Sequence, residues 1–257
     1  MEAEFGTVAE WTAEVAADLG REYFVPAACR GSGSPTTLRW LIERLAISSR
    51  DRMLDCGAGV GGPAAFAAEL TGVVPLLSDA EAGACRAARR LFGFPVVQAA
   101  SEQPFMSGIF TVAWSLGVLC TVDEQLGFLR ELRRVLTPAG RLGLLVFVAN
   151  GNLHRKAPAG NNFPQWNELL DLLSAAGFTV DTAACEADQA TAPAHWQDRA
   201  DQVHEELARR HAQDERWLVS AEQSALIGEL LKRREVNATA IIASPMPHDH
   251  GHVDEAR

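Results

Sequence analysis

The chain has 257 residues, 47% of them apolar and 22% charged, the composition of a globular domain and not of a disordered segment. A net charge of −10 and a pI near 5.2 argue against a large nucleic-acid footprint, because the densest basic cluster is only Lys232, Arg233 and Arg234. No apolar run approaches the roughly eighteen residues of a membrane-spanning helix, and the N-terminus, MEAEFGTVAEW, has neither the basic nor the apolar region of a secretion signal.

Residues 1–50 read as a helical preface, two helical patterns separated by the loop ACRGSGSPTT, with TLRWLIERLAI repeating apolar residues at helical spacing. Residues 51–150 then alternate strand-like and helical runs. RMLDC leads into a glycine loop and a helix from Pro63 that Gly72 stops, with Phe66 and Leu70 one turn apart. VVPLLSD, a helix over AGACRAARRLF, PVVQAA, FTVAWSL, a helix over 123–136 and RLGLLVFV follow. Such alternation predicts an α/β fold with a doubly wound, mostly parallel sheet, whose strands are apolar because both faces are covered.

Residues 151–245 continue with a helix over FPQWNELLDLLSAA, stopped by Gly177, and the strand FTVDTAACE. A helical insertion over 194–234 follows, with Trp196, Val203, Leu207, Trp217, Leu218 and Leu230 as its buried side, and NATAIIASP is a last strand. Residues 246–257 read as a frayed tail whose alternating His248, His250 and His252 hold no metal. The whole length, 1–257, is expected to form one domain. Cys29, Cys56, Cys85, Cys120 and Cys185 are odd in number and widely spaced, which signals neither zinc nor a disulfide framework and fits a soluble cytoplasmic protein.

The chemistry concentrates in LDCGAGVGG. Gly57, Gly59 and Gly61 allow positive φ and close approach of a ligand to backbone, at the N-terminus of the helix that follows. Gly57, Gly59 and Gly62 also satisfy G-x-G-x-x-G, which permits a nicotinamide-dependent oxidoreductase. Asp55 weighs against it, since a carboxylate beside the loop repels a pyrophosphate and suits a cationic ligand such as S-adenosylmethionine. Asp79, about twenty residues past the loop, stands where an acid takes both ribose hydroxyls, or caps the next helix.

With these residues in hand, the chain resembles a class I S-adenosylmethionine-dependent methyltransferase acting on small molecules. The resemblance rests on LDCGAGVGGPA, on Asp79 followed by Ala88 and Arg89, and on QAASEQPF, WSLGVL and FLRELRRVLTPAGRLGLLVF. It implies a Rossmann-like sheet of seven strands, with residues 237–245 as an antiparallel last strand beside the fifth, and S-adenosylmethionine as cofactor. By the same resemblance, Asp55, Gly57, Ala58, Gly59 and Gly61 surround the methionine moiety. Asp79 meets the ribose, Ala80 the adenine face, and Ser101 and Glu102 the adenine edge. Ser115 and Leu116 face the amino-acid end, with Gly117 and Val118 near the methyl group. The preface and the insertion form a lid over a small-molecule acceptor, and a homodimer is left open.

Four residues at three sites depart from the family pattern. Ala100 replaces a frequent adenine-binding aspartate, Thr111 a frequent aspartate before strand four, and Cys120 and Thr121 a frequent Glu-His pair. They motivate an alternative, a cofactor-binding protein of the same fold that has lost methyl transfer. Methyl transfer needs alignment more than a base. Where a base is needed, His154, in the loop after the fifth strand, is the candidate, ahead of His195 and of His204, which reads as solvated. Tyr23, the only tyrosine, is a lid residue that could also reach the site, and Trp114 reads as sheet core.

Overall fold

The computed structural model describes residues 2–29, 31–153 and 157–247. Its centre is a seven-stranded sheet in the order β3-β2-β1-β4-β5-β7-β6. The strands are β1 (Met53–Cys56), β2 (Leu76–Asp79), β3 (Val96–Gln98), β4 (Phe110–Leu116), β5 (Leu136–Ala149), β6 (Phe178–Cys185) and β7 (Val236–Pro245). Strands β1 to β5 run parallel, and β7 lies antiparallel between β5 and β6, beside the fifth strand as the resemblance implies. All four residues of MLDC are buried, because β1 pairs on both edges and is covered on both faces. Strand order reverses at β1, between β2 and β4, and that crevice is where an open α/β sheet binds ligands.

The helices are α1 (Glu2–Leu19), α2 (Phe24–Ala28), α3 (Pro35–Arg44), α4 (Gly62–Thr71), α5 (Ala82–Phe92), α6 (Gln125–Val135), α7 (Trp166–Ala175), α8 (Ala194–His211) and α9 (Glu215–Lys232). Their ends follow local chemistry. Ser34 caps α3 by accepting the Thr37 N–H at 3.2 Å, with Pro35 in the first turn. Gly72 and Gly93 end α4 and α5 in the left-handed conformation. Gln165 and Glu168 form a reciprocal capping box, so α7 starts at Trp166 and not at Phe163.

One face of the sheet buries Trp114, fully enclosed, with Leu38, Leu41 and Leu45 of α3 and Phe66 of α4. The other buries Leu129 and Leu132 of α6, Leu169 and Leu173 of α7, and Phe178. Each such leucine contributes roughly 1.5–3 kcal/mol by leaving water. A smaller cluster, Val15, Ala16 and Ala27 against Val203, Leu207 and Trp217, joins the preface to α8 and α9. One apolar expectation fails, since Leu218 is 53% exposed; Leu70, one turn from the buried Phe66, is 42% exposed. The buried side of α9 is carried by Trp217 and Leu230, and that of α4 ends at Ala67. The fifth strand also begins five residues before RLGLLVFV, because Phe110 pairs with Leu136 ahead of a register shift.

Candidate functional site

The loop between β1 and α4 is held by backbone. The N–H groups of Gly57 and Ala58 both reach the Ser78 carbonyl, at 2.8 and 3.0 Å, which anchors the loop to the end of β2. Gly57, Gly59 and Gly61 have φ of 74°, 54° and 88°, values that side chains rarely adopt. A Cβ on Gly57 would stand 2.4 Å from Val118 Cγ2, whereas one on Gly59 would meet nothing within 4 Å. Gly59 therefore keeps open space beside its backbone. Gly62 is glycine for another reason: its Cβ would lie 2.4 Å from the Ala28 carbonyl carbon. The third glycine of the dinucleotide pattern thus admits the preface, not a pyrophosphate.

Two carboxyl groups flank this loop. Asp55 is 2% exposed, and among the described residues its Oδ2 has no hydrogen-bond partner. Burial pushes its pKa up to about 7; the Trp114 indole opposes the rise without reaching hydrogen-bond geometry, and the Asp79 charge adds to it. Asp79 Oδ2 accepts the Gly59 N–H at 2.7 Å and its Oδ1 accepts the Glu81 N–H at 2.9 Å. Burial raises Asp79 as well, while these two bonds favour its charge. Glu81, not Asp79, occupies the N-cap position of α5.

The remaining positions gather around the same strand ends. Gln98 Nε2 donates to the exposed Ala80 carbonyl at 3.0 Å, placing an amide at this edge that the sequence did not single out. Ser101 is half-buried and Glu102 exposed, and the Ala100 carbonyl accepts the Gln103 side-chain amide at 2.7 Å. Ser115 is 1% exposed, and its hydroxyl donates to the Cys56 carbonyl at 2.8 Å. Ser115 therefore fixes the end of β1, and Leu116 is buried in the core beside it. Cys120 is buried and Thr121 donates to the Val118 carbonyl at 2.8 Å, closing the turn that carries Val118. Thr111 lies elsewhere, at the opposite end of β4, where it bonds Asp51 at 2.8 Å and Asp51 pairs with Arg141. That departure has no bearing on the crevice.

The preface reaches the crevice through Ala28, Cys29 and Gly31. Besides the Ala28 contact with Gly62, the Gly31 carbonyl would stand 2.6 Å from a Cβ on Gly117, whose φ is 79°. Behind this segment lies a cavity of about 490 Å³ between α2, β5 and α8. Its wall includes Cys29, Phe147, Glu186, Trp196, Asp201 and His204. Trp196 packs edge-on to Phe66, with ring centroids 5.6 Å apart. Glu186, just after β6, accepts the Ser34 N–H and, at 3.0 Å, the Thr37 hydroxyl, so it ties the far strand to the start of α3. Nothing in the sequence around Glu186 signals this role.

Among the histidines, His204 is exposed but lines the cavity, with its ring 5.2 Å from that of Trp217. His195 is exposed on the first turn of α8, and His154, His248, His250 and His252 lie outside the described residues. Tyr23 is half-buried against the preface–α8 cluster, and its hydroxyl donates to Gln202 Oε1 at 2.7 Å, which is lid packing. Among the described residues, no group of three or more His, Cys, Asp and Glu could hold a metal ion, and no helix is long and apolar enough to cross a membrane.

Residues 54–144 match the family described as Methyltransferase domain. A stretch of 128 residues is 31% identical to "Methyltransferase GfsG" of Streptomyces halstedii and covers 46% of each chain, so the match spans less than half of that relative. Among solved structures, the [4+2]-cyclase SpnF aligns with a TM-score of 0.65 at 20% identity, covering 83% of this chain and 82% of that one. A geranyl diphosphate C-methyltransferase from Streptomyces coelicolor A3(2) aligns at 0.60 and 17% identity, covering 81% and 79%. A methyltransferase from Geobacter sulfurreducens, in complex with S-adenosyl-L-homocysteine, aligns at 0.61 and 18% identity, covering 88% and 97%. At such identities the structural likeness is one of fold.

Proposed function

With residues 54–144 matching the methyltransferase-domain family, we propose that the protein transfers a methyl group from S-adenosylmethionine to a small-molecule acceptor. The observation that carries this reading is the buried, unpaired Asp55 immediately before three positive-φ glycines. A ligand ammonium supplies the counter-charge that Asp55 lacks, and the open space at Gly59 lets the ligand lie against backbone.

The residues that would hold the cofactor are Asp55, Gly57, Ala58, Gly59 and Gly61 at its amino-acid end, and Asp79 at its ribose. Asp79 would exchange its bonds to Gly59 and Glu81 for the two hydroxyls. Ala80, Ser101 and Glu102 would flank the adenine, with the Gln98 side-chain oxygen as the acceptor for the adenine amino group in place of the aspartate that Ala100 replaces. Val118 would close the methyl end and Leu116 back the amino-acid end, while Ser115 positions the loop through Cys56. When bound, the cofactor supplies an electrophilic methyl carbon whose sulfur departs with the bond's electron pair. The protein's part is to hold acceptor, carbon and sulfur in line and to exclude water, for which Ala28, Cys29 and Gly31 at the crevice and α8 at the cavity would serve.

The acceptor would occupy the 490 Å³ cavity. His204, in its wall, is available as a base where the acceptor must lose a proton, and His154 and Tyr23 remain candidates that the same assay ranks. The net charge of −10 supports a small molecule over a nucleic acid as acceptor. The five free cysteines support work in a reducing compartment such as the cytoplasm. A homodimer remains part of the proposal only as an arrangement that leaves the crevice free.

A second reading, cofactor binding without methyl transfer, draws support from the fold's likeness to the [4+2]-cyclase. Methyl-labelled S-adenosylmethionine incubated with an acceptor panel separates the two. Transfer of label to an acceptor supports the first; tight binding with no label transferred to any acceptor favours the second.

A further inference from the structure

We propose that the acceptor is an amine, an apolar body carrying a basic nitrogen that the cavity recognises through Glu186, Asp201 and the Trp196 ring. This deepens the methyltransferase reading and rests on it. Among the described residues of the cavity wall there is no lysine or arginine, while two carboxylates, Glu186 and Asp201, stand in it. They come from different elements: Glu186 from the turn after β6, and Asp201 from α8. The rest of the wall is mostly apolar, with Leu145, Phe147, Val203 and Leu207 facing the same space. With Glu186 half-buried and Asp201 at the exposed rim, a carboxylate or phosphate ligand would meet like charge in this wall.

Cys29 is the buried thiol of the same wall. It lines the cavity, 4% exposed, and its thiol is pushed well up, first by burial and then by the charges of Asp55 and Glu69. Trp196 adds a ring face or edge for an organic cation, whose attraction to an aromatic ring strengthens as water is excluded. Asp201 accepts the Gln197 amide at 2.8 Å, and Glu186 is fixed by Ser34 and Thr37, so both acids are held before a ligand arrives.

The test uses the intact protein saturated with S-adenosylhomocysteine, with tryptophan fluorescence as readout because Trp196 is in the wall. Three probes of one length are titrated at neutral pH: octylamine, octanol and octanoate. Octylamine is expected to bind about tenfold or more tighter than octanoate, the equivalent of at least about 1.4 kcal/mol. Glu186→Gln and Asp201→Asn should each cut that advantage by about threefold or more without moving octanol affinity. Glu186→Gln could loosen the start of α3, so Asp201→Asn, which touches no such tether, is the second variant. Equal binding of amine and carboxylate, or an advantage unchanged in both variants, overturns the proposal. Binding of S-adenosylhomocysteine is measured separately by calorimetry. Its absence would defeat the methyltransferase reading, whatever the probes do.

Discussion

At the glycine loop the backbone decides: φ of 74°, 54° and 88° at Gly57, Gly59 and Gly61, carbonyl contacts at Gly62 and Gly117, and two carboxyl groups fixed by strand ends. In the cavity wall side chains decide, and they arrive from α2, β5, the turn after β6 and α8. The first region admits one residue type at several positions, so a short string of sequence specifies it. The second is a volume bounded by apolar side chains, which many sequences can enclose. A cofactor common to many reactions is met by the constrained region, and the variable partner by the adaptable one.

The strongest way to break this comparison is at Gly57. Gly57→Val combines a strained φ with a collision against Val118, so affinity for S-adenosylhomocysteine should fall more than about a hundredfold in calorimetry. Gly59→Ala meets no neighbour, and its cost in thermal denaturation should be only about 1–2 kcal/mol of backbone strain. If both variants bound alike and as well as the parent, the loop would not be backbone-determined.

Asp55 sharpens the contrast through pH. Its pKa rises from 3.8 to about 7 on folding, so between those values the folded chain holds a proton the unfolded chain has lost. Stability therefore falls as pH rises through that window, by on the order of 4 kcal/mol for this group. Asp55→Asn should flatten that dependence in melting experiments and raise the melting temperature of the ligand-free protein at neutral pH. The same variant should weaken cofactor binding about tenfold and abolish the gain in affinity that the parent shows as pH rises through about 7. A variant that is less stable at neutral pH would contradict the assignment of Asp55 as an unpaired buried acid.

Leu207 tests the other region. It is 1% exposed in the cluster joining the preface to α8, and Leu207→Ala should cost about 2–4 kcal/mol in denaturant titration. Affinity for S-adenosylhomocysteine, measured where the variant is fully folded, should stay within about threefold of the parent, below 1 kcal/mol. A larger loss would show that the two regions are not separable. The smallest effect is expected at Tyr23: Tyr23→Phe removes only the bond to Gln202, worth about 0.5–1.5 kcal/mol. A fall in kcat of about a hundredfold or more would instead put the hydroxyl at the reacting atoms.

The same division explains what could be read from the sequence. Helix α5 has the limits Ala82–Phe92 that its pattern predicts, because Gly93 must end it. The antiparallel β7 lies where the resemblance puts it. Leu218 was misread because α9 packs on only part of its circumference, and periodicity alone does not say which part. Glu186 was invisible because its partners, Ser34 and Thr37, lie some 150 residues away, brought close only by folding. His204 read as solvated from its charged neighbours, yet its exposed side faces a cavity that needs both the preface and α8 to exist. Gly62 matched a pattern for the wrong reason, since the contact it serves is with Ala28.

The most direct test of the central claim is a calorimetric titration of the purified protein with S-adenosylmethionine, S-adenosylhomocysteine and NAD in parallel, repeated on Asp79→Ala. The account predicts that the first two bind, NAD does not, and the substitution weakens both. Binding of NAD alone, or affinity for S-adenosylmethionine unchanged in Asp79→Ala, would contradict it.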